Sequence, residues 1–136
     1  ADPGSKIVEY AHNFQIDVVP FVGPSSILLA LMASGMNGQN FAFTGYLPID
    51  KSDRTRALRY LESLTKKTGQ TQIFMETPYR NHQLFDTIIK VCSNNTKLCI
   101  ASDITLPSEN IKTKTIAEWK QEKININKKP AIFLIN

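Results

Sequence analysis

Apolar residues recur along the chain at two different spacings, which predict alternating helices and strands. Helical spacing predicts a first helix that opens at Pro3 and Gly4, and a second, nearly all-apolar helix over residues 25–34 that ends at Gly35 and is buried between layers. A third helix, capped by Ser52 or Asp53, is indicated by an apolar stripe. The stripe consists of Ala57, Leu58, Leu61 and Leu64, and the predicted outer face carries Arg54, Arg56, Arg59, Glu62 and Lys66.

Short runs of β-branched and aromatic residues predict six strands, at residues 16–21, 41–46, 71–75, 97–102, 111–116 and 131–135. A helix that starts at Thr77 and Pro78 and a short helix over residues 117–123 lie between them. The strand 97–102 is apolar on both faces and is predicted to be central, whereas 111–116 points Lys112 and Lys114 outward, as an edge strand does. This alternation predicts an α/β layered fold with a mixed sheet.

Composition narrows the class of protein. A chain of 136 residues with 42% hydrophobic residues fits a single folded domain, and no apolar run reaches the ~18–20 residues of a membrane helix. The two cysteines and two histidines are too dispersed for a metal site or a disulfide framework, which favours a reducing cytoplasm. The net charge of +4 permits a polyanionic partner, although charge alone is more typical of a solvated surface.

Three loops that follow predicted strands carry residues suited to a ligand. Ser25 and Ser26 begin a helix, where free backbone N–H groups and hydroxyls could face a ligand. Met75 and Glu76 end an apolar strand that could pack on a flat heterocycle, and Asp103 ends another. Each loop is also explained by an ordinary helix cap or turn, so the hypothesis rests on all three meeting in one cleft at the carboxyl ends of the strands.

Four segments in order resemble the motifs of the tetrapyrrole methylase family, the class III S-adenosylmethionine-dependent methyltransferases. The closest branch contains the small-subunit ribosomal RNA cytidine 2′-O-methyltransferase, with "DPG", "VPLPGPSA", "FEGFLP" and "IFYESTHR" in this order. The matching segments here are DPG at 2–4, VVPFVGPSS at 18–26, FTGYLP at 43–48 and IFMETPYR at 73–80.

The resemblance implies that this chain is the C-terminal part of a two-domain methyltransferase. Residues 1–36 would be a helix–strand–helix segment continuing from a missing N-terminal domain. Residues 37–136 would be the C-terminal α/β domain, three-layered with a mixed, roughly five-stranded sheet. S-adenosylmethionine would bind between the two domains, so this chain alone would hold half a site and bind the methyl donor weakly.

The donor contacts implied by the resemblance fall on seven residues, which are Ser25, Ser26, Met75, Glu76, Ile104, Pro130 and Ala131. No catalytic residue and no metal ligand is implied. One departure concerns the loop in which this branch has Arg-Glu, because Ser102 and Asp103 stand there instead. The departure leaves the substrate open.

The substrate implied is RNA, such as small-subunit ribosomal RNA. The alternatives are a tetrapyrrole-like small molecule and a catalytically silent binding paralogue. Residues 51–67 carry six basic and two acidic side chains, and the exposed arginines predicted there, with Lys112 and Lys114, would contact RNA. The family also implies a cytoplasmic homodimer without a membrane partner.

Overall fold

The computed structural model describes residues 4–136, so Asp2 and Pro3 of the first motif lie outside the described residues. Within these residues, five α-helices and five strands follow one another along the chain. They are α1 (Ser5–Asn13), α2 (Ser26–Ser34), β1 (Phe41–Tyr46), α3 (Lys51–Thr68), β2 (Thr71–Met75), α4 (Asn81–Val91), β3 (Lys97–Ser102), β4 (Asn110–Thr115), α5 (Ile116–Trp119) and β5 (Ala131–Ile135). A 3-10 turn, Pro78–Arg80, leads directly into α4.

The strands form one mixed sheet in the order β1-β2-β5-β3-β4. β1 and β2 are parallel, and β5 lies antiparallel between β2 and β3. β1, β2 and β3 therefore run in the same direction and end at the same edge of the sheet, where β4 and β5 begin. The predicted mixed five-stranded sheet is confirmed, with β3 in the interior and β4 at the edge.

Helices cover both faces of the sheet, which gives the predicted three layers. On one face, side chains of α3, α4 and α5 pack on Phe74, Leu98 and Phe133 in a large core. On the other face, Ala30 and Leu31 of α2 pack on a smaller core. The alternation of side chains along a strand sends neighbours such as Phe133 and Leu134 to opposite cores.

The strand predicted at residues 16–21 is absent, and the prediction is wrong. The segment has no regular secondary structure and is exposed, with Val19 at 70% and Phe21 at 94% of their full accessible surface. A strand requires a hydrogen-bonded neighbour, and within residues 4–136 the segment pairs with none. Pro20 also lacks a backbone donor.

Helix α3 differs from its prediction at the cap and on its outer face. Asp50, rather than Ser52 or Asp53, is the N-cap, and its carboxylate accepts hydrogen bonds from the backbone N–H groups of both those residues. Arg54 and Glu62 are buried instead of exposed. A buried charge needs polar partners, and both side chains have them, which the apolar pattern could not show.

Smaller differences concern α2, α4 and α5. Only one side of α2 is buried, and Met32 on its other side is 79% exposed. The fourth helix begins as the 3-10 turn, and α5 ends at Trp119, four residues before its predicted end. Within residues 4–136, no helix combines the length and apolar character needed to cross a membrane.

Candidate functional site

A cleft of about 260 Å³ opens at the edge where β1, β2 and β3 end. Its walls come from strand ends and from the loops that follow them, as the topology requires for a ligand site in an α/β sheet. The lining residues are Ser26, Tyr46, Met75, Glu76, Pro78, Ala101, Asp103, Ile104, Leu106, Pro130, Ala131 and Ile132. We call this the strand-end cleft.

Six of the seven residues singled out from the sequence meet in this cleft. They are Ser26, Met75, Glu76, Ile104, Pro130 and Ala131. Ser25 is not among the lining residues. It is the N-cap of α2, its carbonyl oxygen accepts from the Leu29 N–H at 2.9 Å, and its hydroxyl makes no capping hydrogen bond.

Glu76 lies at the end of β2 with its carboxylate almost completely buried. Its Oε1 accepts hydrogen bonds from Arg80 Nη2 at 2.8 Å and from the Thr77 N–H at 2.7 Å. Burial raises the pKa of the Glu76 carboxyl, but these two donors outweigh burial and hold the pKa below its ordinary value. Glu76 is therefore ionised and already engaged by a cation.

The loop after β3 has an unusual backbone that presents Ile104 to the cleft. Asp103 and Thr105 both have left-handed φ angles, 52° and 70°, and a β-branched threonine rarely adopts them. Two contacts hold this conformation: the Thr105 N–H donates to Glu109 Oε2 at 2.7 Å, and the Asp103 N–H donates to the Pro130 carbonyl at 3.0 Å. Strain of this kind persists only where surrounding contacts fix it, and here it lies at the cleft.

Asp103 is ionised and ion-paired. Its Oδ2 accepts from Lys129 Nζ at 2.7 Å and from Ser108 Oγ at 3.0 Å. The Lys129 ammonium is the main reason that the pKa of the Asp103 carboxyl lies below its usual value, and burial opposes it only in part. The adjacent Ser102, at the other departing position, donates its hydroxyl to the Asn110 carbonyl at 3.3 Å.

The segment before β5 is fixed from α4 by Asn81. The Asn81 side chain is fully buried, and its Nδ2 donates to the carbonyls of Ile126 and Lys129 at 3.2 and 2.7 Å. The Lys128 N–H donates to the Pro78 carbonyl at 3.1 Å. The wall made by Pro130 is thereby tied to the wall made by the 3-10 turn.

Sequence reasoning missed several lining residues. Tyr46 ends β1, and the strand-end argument applied to β2 and β3 could have found it. Ala101 and Ile132 are core residues of the strands and give no separate signal. Leu106 follows a left-handed residue that no pattern predicts.

Curated relatives align with nearly all of the chain. Proteins named ribosomal RNA small subunit methyltransferase I are 29% identical over all of it in Vibrio cholerae, 34% over 98% of it in Buchnera aphidicola subsp. Schizaphis graminum, and 30% over 90% of it in Bacillus subtilis. The chain spans less than half the length of these relatives, between 41% and 47%. No family model matches the sequence.

Solved structures share the fold at low identity. A conserved hypothetical protein from Aeropyrum pernix K1 superposes with a TM-score of 0.64 at 10% identity, with 99% of this chain and 53% of that one covered. The cobalamin biosynthetic enzyme cobalt precorrin-4 methyltransferase superposes with a TM-score of 0.58 at 15% identity, with 98% and 58% covered. The chain is thus a relative, over part of their length, of the ribosomal RNA small subunit methyltransferase I proteins, and it has the fold of the tetrapyrrole methylase family that its sequence motifs predicted.

Proposed function

We propose that this chain is the C-terminal part of an S-adenosylmethionine-dependent methyltransferase that acts on RNA, and that the strand-end cleft is its half of the donor site. One observation carries the proposal: six of the seven donor-contacting positions implied by the motifs line a single cleft. They come from four separate segments of the chain, so their meeting depends on the fold and not on their proximity in sequence.

The residues of the cleft fit the chemistry of the donor. Met75, Ile104 and Ile132 offer an apolar wall for the flat adenine ring, and the Ser26 hydroxyl offers a polar contact beside the start of α2. The volume of about 260 Å³ is below the ~300–1,000 Å³ of pockets that enclose a ligand of this size, as expected of one half of a site.

When bound, S-adenosylmethionine supplies an electrophilic sulfonium methyl group. The contribution of this chain is to position the donor and to exclude water, which together account for much of the rate of such transfers. Glu76 and Asp103 are each bound to a cation, so neither is a free base for the acceptor hydroxyl. We therefore assign neither carboxylate the role of a base.

The rest of the site would come from an N-terminal domain of the same protein. The lengths of the curated relatives support such a domain, since they are more than twice that of the matched segment. The exposed apolar side chains of residues 16–22 would supply part of the contact with it. Small-subunit ribosomal RNA is proposed as the acceptor from the names of the relatives, and a cytoplasmic homodimer is proposed from the resemblance of the motifs alone.

Calorimetry with S-adenosylmethionine and a methyl-transfer assay test the proposal. The full-length protein carrying this chain should bind the donor, and residues 1–136 alone should bind it much more weakly. Ile104→Lys should abolish donor binding, since it replaces part of the apolar wall for the adenine ring with a longer, charged side chain. Lys67→Gln, on the exposed end of α3, is the matched control and should bind normally.

A methyl-transfer assay with the same full-length protein identifies the acceptor of the methyl group. Labelled methyl groups should appear in small-subunit ribosomal RNA and not in a uroporphyrinogen offered in parallel. Transfer to the tetrapyrrole would replace RNA with a small-molecule substrate. Donor binding without transfer to either acceptor would indicate a silent paralogue, and a full-length protein that binds no donor would refute the proposal.

A further inference from the structure

A second cleft lies on the opposite face of the sheet from α2, at the same edge as the strand-end cleft. It has a volume of about 230 Å³ and polar walls. Its lining residues are Ile100, Ser102, Ser108, Asn110, Lys112, Trp119, Glu122, Lys123, Ile124, Asn125, Ile126 and Lys129. We call it the lysine cleft.

Three lysines from three separate segments converge on this cleft. Lys112 projects from the edge strand β4, Lys123 follows α5, and Lys129 precedes β5. Within residues 4–136, Lys112 and Lys123 take part in no ion pair. Glu122, the acidic side chain on the wall, is bound to Lys114, and Asp103 behind the cleft is bound to Lys129. The cleft therefore has an excess of positive charge.

The neutral lining adds hydrogen-bonding groups but no exposed aromatic ring. Asn110 and Asn125 bring side-chain amide donors to the same walls, while the Ser108 hydroxyl donates to Asp103. Trp119 forms the floor, where it is 3% exposed and its Nε1 donates to the Leu98 carbonyl at 2.8 Å. A base cannot stack on a ring that is covered in this way, so the cleft suits an anion and not a nucleobase.

The two clefts share a wall. Asp103 lines the strand-end cleft, and its ion-pair partner Lys129 lines the lysine cleft. Ser108, the other donor to Asp103, also lines the lysine cleft. A ligand in the lysine cleft is therefore separated from the proposed donor site by one ion pair.

We propose that the lysine cleft binds the phosphate backbone of the RNA substrate beside the nucleotide that is methylated. The inference rests on the proposed function and specifies where the substrate is held. Ammonium groups on flexible stems suit phosphates as point charges, and such contacts fix the position of a nucleic acid without reading its sequence.

Helix α3, the basic segment expected from the sequence to contact RNA, is the less favoured surface. Arg54 is buried, and the Arg56 guanidinium is bound to Asp53. Lys66 is bound to Glu62 and Ser93. The unpaired cations that remain on α3 do not converge. Arg59 and Lys67 are exposed along the helix, and Lys51 lines a separate cavity between α3 and α4, where Asp86 adds a negative charge.

A pair of double variants of the full-length protein separates the two surfaces. Lys112→Gln/Lys123→Gln removes the unpaired charges of the cleft, and Lys51→Gln/Lys67→Gln removes two exposed, unpaired lysines of α3. The probe is a synthetic single-stranded oligonucleotide of small-subunit ribosomal RNA sequence. Its affinity is measured by fluorescence anisotropy at salt concentrations between about 50 and 300 mM, where the affinity depends strongly on salt. Calorimetry with S-adenosylmethionine accompanies each variant.

The cleft variant should lower the salt slope by about 1.4, because each lost contact with a single strand contributes about 0.7. Its affinity at about 0.1 M salt should fall about 25-fold, and the α3 variant should change neither value. Donor binding should be unchanged in both. An unaltered slope in the cleft variant, or an equal loss in the α3 variant, would overturn the inference while leaving the proposed function intact. Failure of the unsubstituted full-length protein to bind S-adenosylmethionine would instead refute the proposed function.

Discussion

Two regions of the chain contain similar apolar residues but bury them to very different extents. One is the sheet with the helices that cover it, and the other is the segment 4–22 that precedes α2. Phe74 and Phe133 in the sheet are completely buried, while Phe14 and Phe21 of the segment 4–22 are 75% and 94% exposed. Helix α1 has no buried residue. An apolar pattern therefore predicts a helix or an extended run from local spacing, but burial depends on a partner surface that local spacing does not describe.

The largest expected difference is between phenylalanines of the two regions. Phe133→Ala should destabilise the chain by about 3–5 kcal/mol, since it removes a fully buried ring of the central strand that lies 6.2 Å from the ring of Phe74. Phe21→Ala should change the free energy of unfolding by less than about 0.5 kcal/mol. Urea denaturation measures both, and comparable losses would show that the segment is packed on the sheet.

Substitution of Arg54 tests what a buried charge contributes to stability, at a position that the apolar spacing of α3 predicted to be exposed. Its Nε donates to Thr87 Oγ1 at 3.3 Å and its Nη1 to the Ile49 carbonyl at 3.1 Å. Arg54→Met keeps the stem but leaves the carbonyl without its donor, so we expect a loss of about 1.5–3 kcal/mol. Arg59→Met on the exposed face is the control, and an equal effect at both positions would argue against the buried role.

The surroundings of the Glu62 carboxylate on α3 predict how the free energy of unfolding depends on pH. Burial raises the pKa of its carboxyl, but hydrogen bonds from Thr96, the Ser93 N–H and Lys66 outweigh burial and lower the pKa below 4.5. The ionised form therefore stabilises the folded state above pH 4.5, and this contribution is lost as pH falls through the lowered pKa of the folded state. Glu62→Gln should cost about 1 kcal/mol at pH 7 and nothing near pH 2.

Chemical denaturation at a series of pH values checks this prediction. Glu9→Gln, on the exposed helix α1, is the matched control and should leave the curve of stability against pH unchanged. A Glu62→Gln variant whose deficit persists at low pH would indicate lost packing rather than a lost charge.

The same contrast explains which features could be predicted from the sequence. The sheet, its edge strand and the strand-end cleft follow from local periodicity and from the rule that parallel strands end together. The buried Arg54 depends on a long-range partner, Thr87, which spacing does not indicate. The cap at Asp50 is local, but three neighbouring residues of the cap type, at positions 50, 52 and 53, left its exact position undecided. The lysine cleft was also hidden, because Lys112, Lys123 and Lys129 lie on segments whose meeting depends on β3, β4 and β5 being neighbours.

The smallest effect on the free energy of unfolding is expected from deleting the segment that precedes α2. Deletion of residues 1–22 leaves α2, its N-cap Ser25 and the whole sheet, and within residues 4–22 no side chain is buried. The free energy of unfolding should therefore change by less than about 0.5 kcal/mol. In the full-length protein, by contrast, Phe21→Ser should weaken donor binding, since the proposal places this apolar segment against the N-terminal domain. A deletion that unfolds the sheet would show that segment and sheet form one cooperative unit, and would remove the basis for treating them as separate regions.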